Sequence, residues 1–235
     1  MAQLGQAFLD AGRLLVELDP TVWGIIGRSL WVSLSAVILA ASLALPLGAA
    51  LATARFRGRS IPITLLNAFM GLPPVVVGLA VYVLLSRAGP LGDFGLLFTP
   101  TAMILAQAIL VLPLIAALTR QTIEDLVREY RDSLNALGVS PAGMLITLLW
   151  EARLSLLTAV LAGFGRAIAE VGAVMIVGGN IAGVTRVMTT AITLETSRGN
   201  LAFALGLGTI LVIVTVGINA LALYLARSEA GRQRL

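Results

Sequence analysis

Five long apolar runs, over about residues 29–54, 61–86, 99–119, 154–179 and 201–226, alternate with polar joints along the chain. A helix needs about 20 residues to cross a hydrocarbon core of roughly 30 Å, and each run is long enough. The pattern predicts an all-α integral membrane protein with five transmembrane helices. Ahead of them, Leu4, Phe8, Ala11, Leu15 and Leu18 recur at steps of four and three, with Asp10, Arg13 and Glu17 off that face. This predicts an N-terminal amphipathic helix, within residues 1–27, lying along a membrane surface. No positive charge precedes Arg13, so the start does not read as a signal peptide. Residues 28–227 are then the transmembrane domain and residues 228–235 a short tail.

One joint stands apart. Residues 120–153 carry nine of the chain's 28 charged side chains, 16 of them basic and 12 acidic, so this segment should face water. Glu124, Arg128, Glu129 and Asp132 support a helix through spacings of three and four. Gly138 ends it, and Ser140-Pro141 begins a second helix over residues 142–149. Two short helices meeting at a bend make a rigid knob. Met144, Leu145, Leu148 and Leu149 give the second helix an apolar face, which in a water-facing loop calls for a groove to occupy.

Composition sharpens this picture by exclusion. Hydrophobic residues make up 58% of the chain and charged ones 12%, and the mean hydropathy is +0.98, far from an average soluble domain. Cysteine and histidine are absent and every basic residue is arginine. That removes thiolate nucleophiles, Ser-His relays and His or Cys metal clusters. The lack of lysine removes the G-x-x-x-x-G-K-[ST] phosphate loop, so any ATP that drives this protein is hydrolysed on another subunit. The chain is expected to bind no cofactor and no metal, and the net charge of +4 calls for no nucleic acid.

Placement of the arginines predicts the orientation. Arg55, Arg57, Arg59, Arg120, Arg128, Arg131, Arg153, Arg227, Arg232 and Arg234 flank the spans on one side, against Arg13, Arg28, Arg87, Arg186 and Arg198 on the other. Short cytoplasmic loops are enriched in positive charge, so the N-terminus is expected outside, with the C-terminus and the charged knob in the cytoplasm.

Within the spans, Pro73-Pro74 should kink the second, and Pro46 and Pro113 the first and third. Small residues such as Gly48, Ala49, Ala52, Gly206 and Gly208 fit close helix packing better than substrate contact. The fourth span holds two charges, Arg166 and Glu170, at the spacing of one helical turn. They read either as an ion pair that lowers the cost of burial or as an anion-facing arginine tempered by a carboxylate. Further on, Asn180 among Gly178, Gly179 and Gly183 would break the helix and expose backbone N–H groups, which suit anions. A flexible turn is the plainer alternative.

Two stretches carry a family resemblance. Asp132-Ser133-Leu134-Asn135-Ala136-Leu137-Gly138-Val139-Ser140-Pro141, between the third and fourth spans, resembles the E-A-A loop of type I ABC importer permeases. Asp132 stands for the glutamate and Gly138 for the glycine, while Ser133 and Leu134 replace both alanines and Trp150-Glu151 replaces the closing L-P. The stretch Phe164-Gly165-Arg166-Ala167-Ile168-Ala169-Glu170-Val171-Gly172-Ala173, followed by Gly178-Gly179-Asn180-Ile181-Ala182-Gly183-Val184-Thr185-Arg186, resembles the oxyanion permeases for molybdate, sulfate and tungstate. The segments 71–79, 86–92 and 188–200 resemble the tungstate branch.

The resemblance implies a cytoplasmic coupling helix gripped by a separate ATPase, which uses ATP and Mg. Asp132, Ala136, Leu137, Gly138, Ser140, Pro141, Met144 and Leu145 fall in the coupling segment. Arg166, Glu170, Gly172, Asn180, Pro73 and Pro74 fall on the translocation pathway or its gate. It further implies a homodimer, an external substrate-binding protein, and residence in the plasma (inner) membrane. Tungstate is the expected cargo, with molybdate or sulfate as alternatives. An ion-coupled carrier working alone is the competing class, disfavoured by the short chain and its single charged intramembrane pair. An intramembrane enzyme is disfavoured by the missing His, Cys and Lys.

Overall fold

The computed structural model describes residues 20–54 and 56–232. The expected amphipathic face at Leu4–Leu18 lies outside them. Nine α-helices account for most of the described chain: α1 (Pro20–Thr53), α2 (Ser60–Phe69), α3 (Pro74–Leu85), α4 (Pro100–Ala136), α5 (Pro141–Glu151), α6 (Arg153–Ile168), α7 (Gly172–Gly178), α8 (Met188–Ser197) and α9 (Leu201–Arg232). Three helices are long and apolar enough to cross a membrane, rising to five if two interrupted pairs, α2 with α3 and α5 with α6, each count as one span.

The interruptions fall where expected in the second run and divide the fourth. Pro46 and Pro113 sit inside unbroken helices, because neighbouring turns of a long membrane helix absorb one missing hydrogen bond. Pro73-Pro74 acts differently. The first proline disfavours helical backbone at Leu72, the second does so at Pro73, and the chain restarts with Pro74 at the first turn of α3. The expected fourth span likewise divides, since α6 stops at Ile168 and α7 begins only at Gly172. The charged segment after the third run is no separate short helix either, for α4 runs on without a break to Ala136.

The chain forms two compact units. One comprises residues 20–35, 74–107 and 168–232. In it α3 packs on α7 at backbone distance: a Cβ on Gly78 would lie 2.7 Å from Ala173 Cα. Ser29, buried in α1, donates to Ile25 O at 2.8 Å and accepts the Met188 N–H at 2.7 Å, satisfying a free donor at the start of α8. The end of α7 is pinned by the Phe98 N–H, which donates to Val177 O at 2.9 Å.

The other unit comprises Ala36–Pro73 and Ala108–Ala167. Its core joins α1, α4, α5 and α6 through Ala49, Ala52, Ile123, Val127, Leu148, Ala152 and Leu156. Small residues on α1 let α4 come close. A Cβ on Gly48 would meet Ala116 O at 2.5 Å and Thr119 Cβ at 2.8 Å. At the end of α1, Arg59 donates to the free carbonyls of Leu51 at 2.8 Å and Ala52 at 3.2 Å, where a cation suits the negative end of the helix. Arg59 also pairs with Glu124 of α4, which in turn accepts from Arg120 at 2.5 Å.

Candidate functional site

The first candidate region is the elbow between α4 and α5. Gly138 has φ +69°, a left-handed conformation that ends α4 without strain on a side chain. Ser140 is extended, with φ −64° and ψ 156°, and its Oγ accepts the Gly143 N–H at 3.1 Å, with Pro141 at the first turn. The sequence signals for a stop and a restart therefore operate as read. The burial of α5 departs from expectation. Leu148 is 1% exposed in the core, and Met144, Leu145 and Leu149 pack against the same cluster. The apolar face expected to seek a groove in a partner is filled by this chain's own α1 and α4.

What α5 offers outward is a second apolar set. Ala142, Ile146 and Trp150 follow at steps of four, which puts them on one face, and all three are exposed. Ile146 and Trp150 are each 67% exposed and Leu137, just before the bend, is 78% exposed. The Arg153 guanidinium lies 5.0 Å over the Trp150 ring and donates to Trp150 O at 3.0 Å, which holds the indole in place. The i, i+4 spacing of Ala142, Ile146 and Trp150 was present in the sequence, but a helix apolar on two faces gives no sign of which one is covered. Asp132, Ala136 and Leu137 are exposed beside the bend. A cavity of about 620 Å³ opens between this elbow and the end of α1, lined by Ala50, Thr53, Arg131, Val139, Met144 and Leu145 among others.

The second region follows the break after α6. Arg166 and Glu170 are not successive turns of one helix, because α6 ends between them. Arg166 is exposed and makes no ion pair among the described residues. Glu170 is 7% exposed, and its Oε1 accepts the Ala173 N–H at 3.1 Å. The start of α7 supplies the donor and partial positive charge that make such a carboxylate tolerable. Thr189 Oγ1 donates to Glu170 O at 2.9 Å. Gly172 leaves room for α3: a Cβ there would lie 3.0 Å from Val75 Cγ2, beside Pro74.

The third region is the loop 179–187. Gly179 (φ +66°), Asn180 (φ +50°) and Gly183 (φ +76°) are left-handed, so the helix does break where the glycines predict. Several of its amides are already engaged within the chain, however. The N–H groups of Val184, Thr185 and Arg186 donate to Ile181 O at 3.0–3.2 Å. Thr185 Oγ1 donates to Gly178 O at 2.6 Å and accepts the Ile181 N–H at 2.9 Å. Thr185 is 1% exposed, so this hydroxyl is a buried cross-tie and the loop is a built turn rather than a slack one. Thr185→Val keeps the volume and leaves both partners unpaired. It is expected to destabilise the protein by about 2 kcal/mol, read as a lowered melting temperature in detergent; an unchanged melt would remove the cross-tie role.

Long apolar helices, interrupted apolar pairs and an elbow of charged and exposed apolar residues mark a multi-pass membrane protein. The chain belongs to the family described as binding-protein-dependent transport system inner membrane component, whose model matches residues 44–230. Among its relatives, the tungstate uptake system permease protein TupB of Peptoclostridium acidaminophilum is 42% identical over 220 residues, covering 94% of this chain and 96% of that one. A probable anion ABC transporter permease protein of Haloferax volcanii is 45% identical over 198 residues, covering 82% and 85%. The molybdenum transport system permease protein ModB of Haemophilus influenzae is more distant, at 29% identity over 174 residues, covering 71% and 76%.

Proposed function

We propose that this chain is the membrane-spanning permease subunit of an ATP-driven tungstate importer. The observation that carries the cargo is the gap in likeness: 42–43% identity to tungstate permeases, against 27–30% to molybdenum and sulfate permeases. In this reading two copies form the pathway, with residues 28–227 of each as the permease domain and 228–235 as a cytoplasmic tail. An external binding protein delivers the anion, and an ATPase using ATP and Mg grips the elbow at 132–149. α2 with α3 counts as one span and α6 with α7 as another, which with α1, α4 and α9 gives five and leaves α5 to the elbow, with the N-terminus outside.

The elbow supports the coupling role through its division of labour. Leu148 with Met144 and Leu145 ties α5 to α1 and α4, while Leu137, Ala142, Ile146 and Trp150 stay available to a cleft. A push on the exposed face is thereby delivered to two long helices as a rigid displacement, the form of movement that alternating access requires. Asp132, Ala136, Gly138, Ser140 and Pro141 shape the bend. Arg166 on α6 and the segment Glu170–Gly172, together with Pro73-Pro74 and Asn180, line or gate the pathway. An exposed arginine without a carboxylate partner among the described residues offers a transient charge to a passing oxyanion.

The test is uptake into liposomes. Permease reconstituted with its ATPase and binding protein is expected to accumulate tungstate only with ATP, and removal of residues 138–149 should abolish ATPase association. Tungstate uptake by the permease alone, driven by an ion gradient, would instead establish the secondary carrier. Orientation has its own check, because the cysteine-free chain accepts single cysteines at the exposed positions Ser60 and Ser197. They are expected to react with an impermeant thiol reagent from opposite membrane faces, and labelling from one face overturns the topology.

A further inference from the structure

We infer that Arg28 and Arg186 form an oxyanion-binding site on the 180–186 loop, a station for a tetrahedral dianion. This rests on the reading of the chain as an oxyanion permease. Both guanidinium groups are anchored on that one loop. Arg28 Nε donates to Arg186 O at 3.2 Å and its Nη1 to Gly183 O at 3.3 Å. Arg186 Nε donates to Asn180 Oδ1 at 3.3 Å and its Nη2 to Asn180 O at 3.4 Å. Carbonyl and amide oxygens orient these forks without neutralising them.

The contrast with the other arginines is the second observation. Arg59 and Arg120 share the carboxylate of Glu124, and Arg198 pairs with Glu195 at 3.0 Å. Neither Arg28 nor Arg186 has a carboxylate partner among the described residues, although both are only partly exposed. Two partly desolvated cations tied to one loop repel each other, and a bound dianion relieves that cost. Each fork keeps N–H donors unused among the described residues: Nη2 of Arg28, Nη1 of Arg186, and one hydrogen on each engaged Nη. Such donors match the edges of a tetrahedral oxyanion two at a time.

The cross-tie through Thr185 and the left-handed residues 179, 180 and 183 hold the carbonyls that aim the forks. The site is thus preorganised, which lowers the ordering cost of capture. Arg28 also suits its place in the chain. It precedes the first apolar run at Ser29, and α1 with its 34 residues is about 50 Å long, well beyond a hydrocarbon core of roughly 30 Å.

The test uses the intact permease in detergent with sodium tungstate as probe. An arginine-selective dicarbonyl reagent, read by mass spectrometry, is expected to modify Arg28 and Arg186 more slowly as tungstate rises. The exposed Arg87 and the paired Arg198 should react at unchanged rates. Calorimetric titration of Arg28→Gln and Arg186→Gln is expected to show binding weaker by about 10- to 100-fold, the loss of a charged hydrogen-bonding partner. Arg28→Lys and Arg186→Lys, which keep the charge and lose the fork, should fall between these and wild type. Equal modification with and without tungstate in the unmutated protein overturns the site, whatever the variants do. So does wild-type tungstate affinity in both glutamine variants, even if docking of the binding protein is lost; the arginines then serve a protein surface. ATP-driven tungstate uptake persisting beside such a negative result would leave the permease reading standing. A complex that imports no oxyanion at all would remove that reading first.

Discussion

Ile146→Ala and Trp150→Ala are expected to weaken association with the ATPase while leaving the permease folded. Both side chains are 67% exposed, so their removal takes little from the core of their own unit. Surface substitutions of this kind usually change stability by no more than about 0.5 kcal/mol, and loss of the Arg153 stacking adds at most about 1 kcal/mol. A tryptophan seated in a partner's cleft is a different matter. Central aromatic anchors contribute about 2 kcal/mol or more to an interface, so Trp150→Ala alone should weaken binding roughly 30-fold. Met144→Ala is the converse case, since Met144 packs on the core formed with Leu148. It should lower the melting temperature of the permease itself, with the loss of coupling following from that. The measurement is a titration of purified permease against the ATPase, run beside a melting curve for each variant. Wild-type affinity in both exposed-face variants would show that the ATPase grips some other surface.

Gly48→Val is expected to be the most damaging single substitution within the bundle. Even its Cβ would stand 2.5 Å from Ala116 O, 2.8 Å from Thr119 Cβ and 3.0 Å from Arg120 N, and two of these three atoms are backbone. A side chain cannot rotate away from such a contact, so α1 and α4 must separate. Separation would pull Ala49 and Ala52 away from Ile123 and Val127, and would spread the strain to Arg59, which donates to the α1 carbonyls of Leu51 and Ala52 and pairs with Glu124 of α4. Overpacking of this kind costs about 3 kcal/mol or more. Gly27→Ala is the matched control, because nothing lies within 4 Å of a Cβ there. The better helix propensity of alanine should leave it neutral or more stable by about 0.5–1 kcal/mol. Melting in detergent decides between them, and equal temperatures for the two variants would show that the crossing tolerates separation.

The elbow shows how far local chemistry reaches. Gly138 as the stop and Ser140-Pro141 as the start were legible because each works through the backbone of its own few residues. The orientation of α5 was not legible. Met144, Leu145, Leu148 and Leu149 make one apolar face and Ala142, Ile146 and Trp150 another. Only the position of Ala49, Ala52 and Ile123 decides which of them is core. Arg166 and Glu170 illustrate the opposite error. A spacing of four places two residues on one helix face only while the helix continues, and it ends at Ile168. Between them the chain turns, and the carboxylate finds its donor at Ala173, three residues ahead.

The sequence by itself determined the class of the protein. An apolar excess distributed in five long runs leaves a chain few alternatives to a membrane bundle, because hydrocarbon rewards uninterrupted helices and local hydrogen bonds suffice to build them. It also determined that this chain has no lysine and so no G-x-x-x-x-G-K-[ST] phosphate loop of its own. Tertiary structure alone decided that the fourth run breaks between Ile168 and Gly172, which face of α5 is free, and which arginines have no carboxylate partner among the described residues. Those outcomes depend on partners remote in the chain: Glu124 reaches Arg59 across 65 residues, and Arg28 reaches the 180–186 loop across more than 150. No local pattern carries that information, because a charge is neutralised or left open by what packing brings beside it.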